Sequence, residues 1–174
     1  APLLRDGLDV FTPALRRTPP ESLDPNIKSH NYLNLVLADL EVRDRSSHAW
    51  AVLLDTRGYL SEGIGSNIFL VKDGVVFTPD AQYVLAGISR QVVIDLALAI
   101  GLEVRETDLR VMDATEADEA FITSTSFCIC PVRTYDGATL GASQVPGPVT
   151  QRLSEAFAGE VGYDFVSQYL QALD

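Results

Sequence analysis

The chain is poor in cysteine, in basic charge and in long apolar runs. Its two cysteines, Cys128 and Cys130, lie two apart. On a strand they would point the same way, and neighbours of that kind seldom pair. With no third cysteine there is no disulfide framework, so a reducing, cytoplasmic setting is expected, with one thiol packed and the other partly exposed. Basic residues number 13 against 24 acidic ones, a net charge of −11. Nucleic acids and anionic bilayers require a basic stripe, so neither is an expected partner, although one local anion site is compatible with this balance. No apolar run is long enough to span a bilayer, and no secretory signal is visible. His30 and His48 have no cysteine or carboxylate at metal-ligand spacing, so no metal is expected. The chain starts at Ala1, which reads as a start inside a longer protein, with a processed start as the alternative.

Apolar residues make up 47% and charged residues 21% of 174, enough for one domain with a sizeable core. Residues 1–26 lack clean periodicity, and the run RRTPPESLDP within them reads as a linker or interdomain crossing segment. The domain proper is expected over residues 27–174. From Asn31 to Arg45, apolar Leu33, Val36, Leu37 and Leu40 recur at i, i+3, i+4 and i+7, which predicts a helix with that stripe buried. AWAVLLD (49–55) reads as a strand buried on both faces. NIFLVKD (67–73) and VVFTP (75–79) meet at Asp73-Gly74, a hairpin signal. A helix is expected from Ile88 to about Ile100, ended by Gly101. EVRETDLRV reads as extended and TEADEA (115–120) as a solvated helix or turn face. EAFITSTS and ICPVRTY are strand candidates, Asp136-Gly137 is a second hairpin signal, and Pro148 opens a last helix running to about Gly162. Strands interleaved with helices and hairpins imply an α/β or α+β domain on a mixed or antiparallel sheet.

Four places carry possible chemistry, each with an ordinary alternative. Lys28 follows the Pro-rich run and adjoins apolar Ile27. A lysine in apolar surroundings loses its proton more readily, as a carbonyl-condensing amine must; a solvated surface charge is the alternative. Glu62 lies between small residues in YLSEGIGSNIF, either a surface turn or a carboxylate presented to a ligand. Facing a pyridine nitrogen, such a carboxylate would keep the ring protonated and electron-withdrawing. In LAGISR (85–90), Gly87 precedes a helix start with Ser89 in its first turn, either an ordinary helix start or a set of free N–H groups for a phosphate. FITSTSF (121–127) is either a polar edge or a second source of N–H and O–H groups for the same anion.

The ordered series IKSHNYL, YLSEGIGSNIFLVKDGVVFTP, LAGISRQVVIDLA, ADEAFITSTSFCICPV and PGPVT resembles the class IV, fold-type IV pyridoxal-phosphate enzymes over about residues 27–161. The resemblance implies the large C-terminal cofactor domain of that fold, a mixed sheet or pseudo-barrel flanked by helices, holding pyridoxal 5'-phosphate. It implies Lys28 as the lysine bonded to the cofactor, Glu62 as the acid on the pyridine nitrogen and Leu85 as the leucine on the ring face. Gly87, Ile88 and Ser89 would bind the phosphate at the helix start, with Ser124 and Thr125 as a second phosphate turn. Ser66 and Asn67 would border the ring. The implied reaction is transamination between an amino acid or amine and a 2-keto acid, in a homodimer; an aminodeoxychorismate lyase-like reaction and an inactive cofactor-binding or dimerisation remnant are the alternatives. Family members carry a smaller N-terminal domain before the lysine, so a truncated or naturally shortened form is expected. FCIC (127–130) differs from the more polar residues of amino-acid-specific members and leaves the substrate class open.

Overall fold

Two Asp-Gly pairs organise the hairpins of the fold, which was obtained as a computed structural model describing residues 2–142 and 144–173. Asp73 and Gly74 (φ 50° and 77°) join β4 (Ser66–Lys72) to β5 (Val75–Thr78). Asp136 and Gly137 (φ 47° and 84°) join β8 (Cys128–Tyr135) to β9 (Ala138–Thr139). Consecutive left-handed residues twist as paired strands do, which is why Asp-Gly serves here. The other strands are β1 (Leu8–Phe11), β2 (Ala49–Leu54), β3 (Leu60–Gly63), β6 (Val104–Glu106) and β7 (Glu119–Ser124).

Among the described residues these strands form one mixed sheet in the order β3-β2-β1-β8-β7-β4-β5-β6. β1 runs parallel to both β2 and β8, and β5 runs parallel to β6; the remaining pairs are antiparallel. Because β3 also pairs with β4, strands β1, β2, β3, β4, β7 and β8 close into a six-stranded pseudo-barrel. The expected mixed sheet with flanking helices is therefore what the chain forms. β3 lies in the stretch read as either a surface turn or the presentation of a carboxylate, not as a strand. Residues 1–26, read as a linker, contribute α1 (Leu3–Asp6) and β1, whose Leu8 and Val10 are buried; Ala1 lies outside the described residues.

The remaining helices are α2 (Leu33–Val42), α3 (Ile88–Ala99), α4 (Val111–Thr115), α5 (Pro148–Val161) and α6 (Phe165–Gln171). α3 buries Arg90, Val93, Ile94 and Ala97, the i, i+3, i+4, i+7 pattern, and α5 buries Thr150, Leu153 and Phe157. Pro148 opens α5, and Gly162 ends it at φ 68°, both as the sequence indicates. The TEADEA segment departs from expectation. Ala117, Glu119 and Ala120 are buried, and Glu119 accepts hydrogen bonds from the N–H groups of Val149 and Thr150 at the start of α5. An acidic cap at a helix N-terminus satisfies free donors and complements the helix dipole, so this acid is buried because it is paired.

α2 is a second correction. The stripe expected inside faces outward: Leu33 is 67% exposed and Leu40 50%, with Val36 and Leu37 also exposed. Leu35, Ala38 and Val42 pack instead on Ala51 and Leu53 of β2. The helix carries two apolar stripes, and periodicity alone selects the longer one. Leu35→Ala is expected to cost about 2–5 kcal/mol and Leu37→Ala well under 1 kcal/mol in urea unfolding; the reverse ranking would contradict this orientation.

Asp9 anchors β1 to its neighbours. Arg133 donates to it from Nε (3.0 Å) and Nη2 (2.7 Å), and the hydroxyls of Thr134 and Ser46 also donate. Burial alone would raise this carboxyl, but those hydrogen bonds and the Arg133 charge hold it down at about 2, against an ordinary 3.8. The folded value is depressed, so the stabilisation is present above pH ~4 and is lost as pH falls through about 2. Asp9→Asn is expected to lower stability by about 1–2 kcal/mol at pH 7, allowing for the half-open Arg133 partner, with the difference from wild type closing between about pH 4 and 2. Unfolding curves across that range check it.

Candidate active site

A cavity of about 200 Å³ opens where β3, the β3–β4 turn, the α3 start and the β7–β8 turn meet the irregular stretch before α2. All ten residues singled out from the sequence line it: Lys28, Glu62, Ser66, Asn67, Leu85, Gly87, Ile88, Ser89, Ser124 and Thr125. Closure of the barrel brings them together from positions up to 97 residues apart, Lys28 to Thr125.

Glu62 sits on β3 opposite Asn67 of β4 and is 4% exposed. The next residue, Gly63, tolerates no side chain. A Cβ there would lie 2.6 Å from Ser66 Oγ and 2.7 Å from the Ala51 carbonyl. Trp50 Nε1 donates to Ser66 Oγ at 3.0 Å. Glu62 is held at both oxygens: Arg17 Nε donates to Oε1 at 2.8 Å and the Leu85 N–H donates to Oε2 at 2.9 Å. Burial pushes the Glu62 carboxyl up from its ordinary range, while the charge and hydrogen bond of Arg17, the Leu85 N–H and the charge of Lys28 pull it back.

The loop leading into α3 is fixed from beneath. Ser61 Oγ donates to the Tyr83 carbonyl at 2.8 Å, and Asn67 Nδ2 donates to the Leu85 carbonyl at 2.9 Å. Arg57 lies 3.6 Å from the centroid of the Tyr83 ring and pairs with Asp55 and Asp108. At its end, Gly87 forms the N-cap of α3 without a side-chain cap bond. Its carbonyl accepts the first helical bond from Gln91, so the N–H groups of Ile88, Ser89 and Arg90 precede the ladder. Across the cavity, Ser124 Oγ accepts from the N–H groups of Ser126 and Phe127, which shapes the β7–β8 turn. Thr123 is 1% exposed, and its Oγ1 has no hydrogen-bond partner among the described residues. A buried hydroxyl lining a cavity without a partner points to an absent acceptor or donor.

Lys28 corrects the expectation of a desolvated amine. It lines the cavity, yet it and Ile27 are exposed, Ile27 at 59%, because the stretch before α2 crosses the cavity mouth without helical cover. The other lysine of the chain, Lys72, is engaged elsewhere, donating to the Glu116 carbonyl and Asp118. Ser66 and Asn67 line the cavity with side chains already committed to Trp50 and Leu85, so they shape its wall. Two functional candidates were missed in the sequence. Arg17 lies in the Pro-rich run, where a charged residue reads as solvated. Thr123 belongs to the flagged FITSTSF, but only burial separates it from its hydroxyl neighbours. The cysteines lie outside the cavity lining, with Cys130 buried and Cys128 half-buried. Among the described residues no group of three or more His, Cys, Asp or Glu is arranged to hold a metal ion, and no helix is long and apolar enough to cross a membrane.

A sequence model of the family described as amino-transferase class IV matches residues 2–135. The putative branched-chain-amino-acid aminotransferase of Methanocaldococcus jannaschii is 46% identical over 158 residues, covering 90% of this chain and 54% of that protein. Among solved structures, the Escherichia coli branched-chain amino acid aminotransferase superposes with a TM-score of 0.86 at 40% identity, over 91% of this chain and 52% of the other. A second branched-chain amino acid aminotransferase, solved with pyridoxamine 5'-phosphate, gives a TM-score of 0.84 at 33% identity, over 91% and 53%. The chain thus spans about half the length of the relatives it matches.

Gly87 tests the construction of this wall. A Cβ there would collide with Asn67 Oδ1, on a side chain buried and bonded to Leu85. Gly87→Ala is expected to cost about 1–3 kcal/mol in thermal unfolding by dislodging Asn67; unchanged stability would show that the wall is adaptable.

Proposed function

The chain belongs to the amino-transferase class IV family, and from that premise we propose that it is the cofactor-holding part of a pyridoxal-phosphate-dependent transaminase acting between an amino acid or amine and a 2-keto acid. One observation carries the reading: an amine, a paired buried carboxylate and two sources of N–H and O–H donors line one cavity. This donor set fits the group's aldehyde, ring nitrogen and phosphate. The partnerless buried Thr123 hydroxyl and the free N–H groups of α3 supply what a phosphate requires. The neighbour solved with pyridoxamine 5'-phosphate shares the fold.

When bound, pyridoxal phosphate supplies a carbonyl that condenses with amines and a ring that withdraws electrons. Lys28 would hold it covalently, and Lys28 Nζ, when free, would be the base that takes the substrate Cα proton and returns it. Glu62, as a carboxylate, would accept a hydrogen bond from the protonated ring nitrogen and so keep the proton there. Leu85 would pack on the ring face. The N–H groups of Ile88 and Ser89, with the hydroxyls of Ser89, Ser124, Thr125 and Thr123, would hold the phosphate. Ser66, Asn67 and Gly87 keep the wall rigid. A cofactor domain that takes in α1 and β1 as well as residues 27–174, with only the Pro-rich run between them as a connection, a homodimer and a cytoplasmic setting belong to the same proposal. The exposed stripe of α2 is the kind of surface that assembly buries.

The exposure of Lys28 favours a second reading, a cofactor-binding or dimerisation module without turnover. The two separate in one series. Pyridoxal phosphate is added, the visible absorbance is recorded, borohydride is applied and the label is mapped by peptide mass. The label is expected on Lys28, to be lost in Lys28→Ala, and amino transfer to a keto acid is expected to require Lys28. A label on Lys72, or none, would refute the assignment; a label on Lys28 without transfer would favour the module.

A further inference from the structure

Arg17 has no part in the roles assigned so far, yet it is the group most closely engaged with Glu62. Its backbone is fixed first: the Arg17 N–H donates to the Leu54 carbonyl at 2.8 Å, beside the bridge between Arg16 and Leu54, so the residue runs alongside the end of β2. From there the side chain reaches Glu62 on the neighbouring β3. Both partners are nearly closed to water, with side chains 10% and 6% exposed, and both residues line the cavity. A carboxylate offers about four acceptor positions on two oxygens. Arg17 Nε occupies one on Oε1 and the Leu85 N–H one on Oε2, which leaves an acceptor on each oxygen for a further donor.

Resting on the transaminase reading, we infer that Arg17 is a positioning residue that determines where the proton shared by Glu62 and a bound pyridine ring resides: Arg17 keeps Glu62 a fixed carboxylate, so the proton stays on the ring nitrogen. The argument is electrostatic. A buried carboxyl without a cation is more basic than one in water, and a basic enough carboxyl takes the proton from a pyridinium, leaving two neutral groups joined by a hydrogen bond. A neutral ring is a poor electron sink, so the location of that proton decides whether the substrate Cα–H is acidified. The charged groups acting on Glu62 are Arg17, in direct contact, and Lys28 across the cavity. A guanidinium is a permanent charge, whereas the Lys28 amine would be engaged by the cofactor, so of the two Arg17 is the one whose field on Glu62 would be constant.

The test uses Arg17→Gln, which retains a hydrogen-bond donor and removes the charge, and Arg17→Lys, which restores the charge. In cofactor-free protein, the 13Cδ resonance of Glu62 is followed with pH. Its midpoint is expected to rise by about one unit or more in R17Q and to return most of the way in R17K. With 15N-labelled pyridoxal phosphate, the ring resonance at pH 7 is expected to be that of a protonated nitrogen in wild type and R17K, and to move toward the unprotonated value in R17Q. Folded R17Q with both resonances unchanged overturns the inference while leaving the transaminase reading intact. Should R17Q not fold, the wild-type complex decides: an unprotonated ring beside a protonated Glu62, with Arg17 present, overturns it, and a protonated ring beside a carboxylate upholds it. Wild type that takes up no pyridoxal phosphate removes the underlying reading and this inference with it.

Discussion

A buried carboxylate requires donors, and the clamp on Glu62 is the constraint around which the cavity is built. Its two donors come from segments far apart in sequence: Arg17 from the stretch after β1, and the Leu85 N–H from the loop before α3. Leaving either oxygen unpaired in a nearly water-free position would cost several kcal/mol. Satisfying both ties the N-terminal stretch, the β3–β4 hairpin and the α3 start to one point. The same clamp sets the height of Leu85, and through Leu85 the position of the helix tip whose N–H groups line the cavity. Asn67 reinforces it from the other side by donating to the Leu85 carbonyl.

The acidity of the whole chain does not carry over to this cavity. Net charge describes the whole surface, whereas a small ligand senses the groups within a few ångströms. Facing the cavity are Arg17, Lys28 and the positive end of α3, against the one buried carboxylate. Part of the acidity serves the fold instead. Glu119 caps α5, Asp9 joins β1 to β8 through Arg133, and Asp55 pairs with Arg57 under the Tyr83 ring.

α2 shows the limit of reading burial from periodicity. Leu33, Val36, Leu37 and Leu40 form the longer apolar stripe, but the chain enters α2 from the cavity mouth with Leu35, Ala38 and Val42 turned to β2. A helix apolar on two sides marks a surface with a second environment, and sequence cannot rank the two. β1 illustrates a related limit. Four residues are too few to show alternation, and the strand is held by parallel pairing to β2 and β8, whose partners lie about 40 and 125 residues away.

What the sequence determined by itself is local: both Asp-Gly hairpins, the extents of α3 and α5 with their Gly and Pro punctuation, and the residue types that converge on the cavity. These follow from φ preferences, capping and side-chain chemistry, which act over a few residues. Tertiary structure alone decided the closure of β3 onto β4, the outward face of α2, the burial of Glu119, the exposure of Lys28 and the pairing of Arg17 with Glu62. Each of these depends on which distant group lies opposite. A charge in a linear sequence reads as solvated until the fold brings its partner within about 3 Å and excludes the water between them.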